Sequence, residues 1–248
     1  MSQLYHTFLY QPIFNLLIFI YNSIPIQDMG IAIILLTALI RLVLWPLSKK
    51  QIVAQKHLKE LQPKIEEIKK KFKDNPQQRN LETLKLYKEN KANPASSCIT
   101  LLIQLPFLLA MFSVFRDGLK PEALSNLYSF VAKPEVIDKL FLNIAYFDLS
   151  KPNIILTLLT ALIQFWQSKM LSVAPSAVKN DASKDESMQT TINKQMLYMM
   201  PVITVVMGMT LPSGLMLYWL VSTLLLGVQQ WFELKKDDHV PQNLVNPS

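Results

Sequence analysis

MGIAIILLTALIRLVLWPLSKK, residues 29–50, decides the fold of this chain. From Met29 to Leu47 the only polar side chains are Thr37 and Arg41, and the pair Lys49–Lys50 closes the run. An apolar run of about 20 residues, wound as a helix, matches the ~30 Å hydrocarbon core of a bilayer. A soluble chain would scatter such residues through amphipathic elements. Working outward, four more apolar runs lie at residues 97–116, 153–171, 195–211 and 215–233, with the first crossing taken as 28–48. Pro212-Ser213-Gly214 leaves room only for a tight turn between the last two.

Polar segments separate these runs. Residues 49–96 hold 13 of the 25 Lys and Arg but only six acids, and so carry the whole net charge of +7. Leu58, Leu61, Ile65, Ile68 and Phe72 recur at spacings of three and four, which predicts one helix face. Asp74-Asn75-Pro76 is a break, and a second helix is expected to turn Leu81, Leu84 and Tyr87 inward, giving an antiparallel hairpin. A basic loop beside apolar spans belongs on the cytoplasmic side. Five crossings then place the N-terminus outside and the C-terminus inside. The loop 117–152, with four Lys against five acids, falls outside, as do residues 1–27; the loop 172–194 and the tail 234–248 fall inside. Pro12 and Pro25 bracket the aromatic stretch near the start, which reads as an amphipathic helix lying in the interface. No Lys or Arg precedes Arg41, unlike the basic start of a signal peptide. The expected fold is an all-α integral membrane protein with five transmembrane helices, an N-terminal interfacial helix and a cytoplasmic helical hairpin.

Arg41 needs an explanation. It lies eight residues before Lys49, roughly 12 Å inside the boundary. A charge there costs ~2.5–3.5 kcal/mol on insertion scales, and arginine cannot shed its proton to escape it. Two readings stand. Arg41 snorkels to the headgroups, or it lies on the wall of a wet cavity in the cytoplasmic half. Thr37 shares its helix face, and Gln104 precedes Pro106 in the second run. Thr157, Thr160, Gln164 and Ser168 form one stripe on the third, while Tyr218, Trp219, Ser222, Thr223 and Gln229 dot the fifth. Ordinary helix packing accounts for any single Thr or Ser; amides facing lipid are harder to place.

Enzyme chemistry is not legible. No Ser-His-Asp set, His-Glu-x-x-His or Gly-rich phosphate loop occurs, and His6, His57 and His239 lie outside the runs. No Asp or Glu falls within the apolar runs up to Phe232, which argues against a proton-coupled transporter. The single cysteine, Cys98, excludes a disulfide framework, and no metal or cofactor is expected. Seven of the 11 Met lie between Met188 and Met216, either an adaptable apolar surface or plain lipid-facing bulk.

Three motifs resemble YidC-type insertases of the YidC/Oxa/Alb family. They are Leu39-Ile40-Arg41-Leu42 through Trp45-Pro46-Leu47, Gln104-Leu105-Pro106-Phe107, and Leu211-Pro212-Ser213-Gly214-Leu215 with Leu217-Tyr218-Trp219 and Gln229-Gln230. Thr223 departs from the Asn common in that family. The resemblance covers about residues 10–234 and implies the minimal form, without the extra anchor and external domain of some relatives. It implies a positively charged groove open to cytoplasm and lipid, with Arg41 as the groove arginine. Thr37, Gln104, Gln164, Thr160, Trp219, Tyr218 and Ser222 are the candidate wall. A substrate's polar tail would enter the groove while its apolar segment slides into lipid between the third and fifth crossings. The implied partners are nascent membrane proteins and membrane lipids, with the ribosome, signal-recognition machinery and a Sec-type translocon as further candidates; DNA is not one. The expected location is the bacterial plasma membrane. A small-solute channel or a non-catalytic assembly scaffold are the competing readings.

Overall fold

The computed structural model describes residues 3–93, 96–118, 120–171 and 195–236. The expected cytoplasmic loop 172–194 and most of the tail lie outside the described residues. The described residues are mostly helical, with one small hairpin of strands among them. Helix α1 (Gln11–Ser23) follows a turn of wider π geometry at His6–Tyr10. Pro12 sits within the first two positions of α1, where a missing N–H is tolerated, and Pro25 lies just beyond its end, so the two prolines bracket this helix.

Helix α2 (Met29–Lys71) is one unbroken element of 43 residues, about 65 Å long. Asp28 caps it, accepting from the Ile31 N–H at 2.8 Å, and Lys69–Lys71 complement the dipole at its other end. It runs straight from the apolar stretch into the basic one, with Pro46 and Pro63 in its interior. Asn75 caps α3 (Pro76–Glu89), which folds back on α2. Leu58, Leu61, Ile65 and Tyr87 form a small core between the two.

Leu81 and Leu84 do not join that core; they are 62% and 54% exposed, contrary to the inward placement expected of them. Helical rotation explains this. Three residues turn a helix through about 300°, so positions 81, 84 and 87 drift by about 60° per step. With Tyr87 facing α2, Leu81 points some 120° away.

Helix α4 (Ser96–Ser113) leads through a second π turn (Val114–Gly118) into the long loop. That loop contains a 3-10 turn at Pro121–Asn126 and an antiparallel pair, β1 (Leu140–Phe141) and β2 (Ile144–Asp148), which the all-helical expectation did not include. Its turn residues Leu142 and Asn143 both have φ near +55°, and Asp28 accepts the Leu142 N–H. The loop is strapped to α1. Asn15 donates to the Asn126 carbonyl and accepts from Tyr128 N–H; Asn22 donates to Ala132; the Tyr21 hydroxyl accepts from Asp138 N–H.

Helices α5 (Ile154–Leu171), α6 (Met200–Gly208) and α7 (Ser213–Lys235) complete the bundle. Helices α2, α5 and α7 are long and apolar enough to cross a membrane, and Leu102–Arg116 and Leu197–Gly208 are shorter apolar stretches. The main core is buried at the end that carries the long loop, where Phe14, Leu17, Ile18, Tyr21, Met29, Ile33, Leu36, Met111 and Leu215 meet.

Helices α5 and α7 pack tightly along their length. At Gly227 the Trp166 ring stands where a Cβ would go, 2.4 Å from its ideal position. Gln230 donates to the Gln167 carbonyl across the same seam. The third and fifth crossings are thus in close contact at this level.

Candidate functional site

Three helices bring Arg41 its partners. Its Nε and Nη2 donate to Ser222 Oγ at 2.9 and 2.6 Å, and Nη2 also donates to Gln104 Oε1 at 2.7 Å. Gln104 Nε2 in turn donates to the Tyr218 hydroxyl at 3.0 Å and to Ser222 Oγ at 3.2 Å. Tyr218 and Ser222 are four apart on α7 and lie on one face; both are almost wholly buried. Every acceptor around the guanidinium is a neutral oxygen, and among the described residues no carboxylate pairs with it. The cation is held by hydrogen bonds, and no charge among the described residues compensates it. An arginine so placed favours an anion that comes close enough to replace a neutral acceptor.

The other candidates fall elsewhere. Thr37 is fully buried one turn away, its hydroxyl donating to its own helix at Ile33 O, 2.6 Å. Thr160 donates to Leu156 O and, at 3.3 Å, to Met216 O. Gln164 Oε1 accepts from Thr204 at 2.6 Å. Thr160 and Gln164 thus tie α5 to α6 and α7 and do not touch Arg41. Trp219 is half-buried and packs on the apolar core.

Sequence reasoning did not single out Ser48, Gln51, Thr204 or Glu233, all of them buried. For Ser48 and Gln51 a signal existed, since Thr37, Arg41, Ser48 and Gln51 are spaced four, seven and three, one continuous polar stripe down α2. Glu233 follows Phe232 at the very edge of the last apolar run, whereas α7 continues to Lys235 and buries it.

A sequence profile of the family described as "60Kd inner membrane protein" matches residues 19–239. A Fusobacterium nucleatum protein named membrane protein insertase YidC is 33% identical over 93% of this chain and 98% of its own length. One of the same name from Oceanobacillus iheyensis is 33% identical, covering 82% of this chain and 73% of its own. The Treponema denticola protein of that name is 37% identical, but the match takes in only 34% of its length. Among solved structures, an active YidC insertase crystal structure aligns with TM-score 0.55 and 27% identity, over 92% of this chain and 46% of the other. The apolar helices, the motifs around Arg41, Gln104 and Tyr218, and these similarities agree: the chain belongs to the 60Kd inner membrane protein family of YidC-type insertases.

Proposed function

We propose that this chain inserts newly made membrane proteins by drawing their polar tails toward Arg41 from the side that carries the helical hairpin. The observation that carries the reading is the arginine held, among the described residues, by neutral acceptors, below an apolar core that closes the opposite end. The basic hairpin belongs in the cytoplasm by the distribution of Lys and Arg. The reading therefore puts five crossings in the membrane, the N-terminus outside and the C-terminus inside. An acidic tail gains a charged partner partway across and is left with only the dry half to pass. Burial of the apolar segment in lipid supplies the driving force, at ~25 cal/mol per Å2. No bond is made or broken and no nucleotide is needed, so this is not enzyme chemistry.

With α5 and α7 packed together, the uncovered apolar faces of α4 (Leu102, Leu105, Leu109) and α6 (Val202, Val206) are the better guide for the departing segment. Among the described residues α4 has no extended packing on α5 or α6. The hairpin's charge fits ribosomes, and co-sedimentation with them after deletion of residues 65–84 checks that role.

The test of the central claim is insertion of a single-span substrate with an acidic outer tail into liposomes, scored by protease protection. Arg41→Lys should retain much activity, Arg41→Ala should lose most of it, and Arg41→Glu should be worst. Neutralising the substrate tail should shrink these differences. Equal insertion by Arg41→Ala and the parent would remove the groove mechanism. A small-solute channel predicts solute flux through the same liposomes instead.

A further inference from the structure

We propose that Glu233 is a second charge-recognition point, an acceptor for an arginine flanking the substrate's membrane segment on the hairpin side; this rests on the insertase reading above. Glu233 lies in the last turns of α7 with its side chain only 4% exposed. Its nearest cations are Lys49 Nζ, 3.9 Å from Oε2, and Lys236 Nζ, 3.8 Å from Oε1. Both distances exceed a hydrogen bond, and both lysine side chains are about half exposed. Among the described residues Oε2 accepts no hydrogen bond. The adjacent amides are committed elsewhere, Gln229 to the Trp45 carbonyl and Gln230 to that of Gln167. A carboxylate is thus withdrawn from water without the donors that buried carboxylates ordinarily collect.

The two lysines do not fill the vacancy. An ammonium on a flexible, half-solvated stem contributes little at such distances and swings away at small cost. A guanidinium presents two parallel N–H groups in a fixed fork and matches a carboxylate bidentately. An arriving arginine therefore exchanges one loose cation for a hydrogen-bonded one.

Position gives the site its purpose. Glu233 is eleven residues beyond Ser222 on the same helix. Eleven residues make three turns to within about 20°, so both lie on one buried face of α7, about 16 Å apart along the axis. That is about half the hydrocarbon core. Arg41, bound to Ser222, and Glu233 are then opposite charges in line. A segment with an acidic leading tail and an arginine behind it meets both in register.

The experiment uses the full chain in liposomes and four single-span substrates that differ only in two hairpin-side flanking residues, Arg, Lys, Gln or Glu. Within each protein variant the inserted fraction is expressed relative to the Gln-flanked substrate, so that general damage cancels. The parent should favour Arg by about fivefold to tenfold, with Lys between. Glu233→Gln should bring that ratio close to one. Glu233→Lys should reverse it and favour a Glu-flanked substrate. A parent with no Arg preference overturns the proposal without recourse to any variant, and so does a ratio that survives Glu233→Gln. A parent that inserts none of the substrates overturns the insertase reading together with it.

Discussion

The two ends of the bundle bury opposite chemistry on the same helix faces. Along α2 the inward residues Met29, Ala32, Ile33 and Leu36 are wholly buried and apolar, and the same stripe continues as Thr37, Arg41, Ser48 and Gln51. Along α7, Leu215, Met216 and Leu217 give way to Ser222, Thr223, Gln229, Gln230 and Glu233. Lipid offers apolar side chains no incentive to leave it, so apolar packing alone does not hold membrane helices together strongly. At the loop end α1 and the strapped loop cover the helix ends, and Phe14, Leu17 and Tyr21 of α1 are buried against them. The hairpin end uses polar contacts between helices instead. One end buries apolar side chains, and the other buries hydrogen-bonding ones.

Truncation at the apolar end should have the largest effect. Leu36→Ala removes a fully buried side chain and is expected to cost about 2–5 kcal/mol. The check is thermal unfolding in detergent, where the melting temperature should fall clearly and insertion should fall only in proportion to folded protein. If Leu36→Ala leaves the melting temperature alone, the apolar core is not what closes that end.

Ser222→Ala should give the reverse pattern. It removes the acceptor of two Arg41 nitrogens, and hydrogen bonds to a charged group contribute ~1.5–3 kcal/mol. Insertion of an acidic-tailed substrate is expected to drop about tenfold, while the melting temperature falls less than in Leu36→Ala. Ser222→Thr keeps an acceptor and should recover most of the activity. Matched loss in thermal stability and insertion would mean that Ser222 only packs.

These two experiments probe positions that the sequence marks in unequal degree. Arg41, Gln104 and Ser222 stand out because polar residues interrupting an apolar run are few, and each must find a partner. What a linear pattern lacks is the pairing. Gln164 carries the same kind of signal as Gln104, yet it turns to Thr204 because α6 reaches it first. The α2 stripe beyond Lys49 was hidden by the change in composition, which invites a boundary where the backbone has none. The strand pair went unread because its turn, Leu142–Asn143, lacks the Asn-Gly or Gly signals that mark tight hairpins. Asp28, far off in sequence, supplies an acceptor that helps hold it.

The smallest expected effect concerns the seam between that loop and α7, and it depends on pH. Asp148 gains stability from two neighbours. Burial pushes its carboxyl up, but hydrogen bonds from the Ser150 hydroxyl and N–H and the Lys151 ammonium outweigh this and hold it below the usual range. The same short stretch caps the start of α7, where Ser213 N–H donates to Lys151 O at 2.9 Å, Gly214 N–H to Leu149 O at 3.0 Å, and the Ser213 hydroxyl to Asp148 O at 3.0 Å. A carboxyl whose folded pKa is depressed contributes stability that is complete above its unfolded pKa and is lost as pH falls through the folded one. The seam should therefore be insensitive to pH through the neutral range and loosen only in acid, below the ordinary aspartate range. Hydrogen exchange at the Ser213 and Gly214 amides, followed as pH is lowered and corrected for intrinsic rates, should show protection falling in that window alone. Asp148→Asn should start from lower protection and lose the acid step, while Leu36→Ala should keep it. An acid step that persists in Asp148→Asn would assign the titration to another group and separate the loop's fastening from this carboxylate.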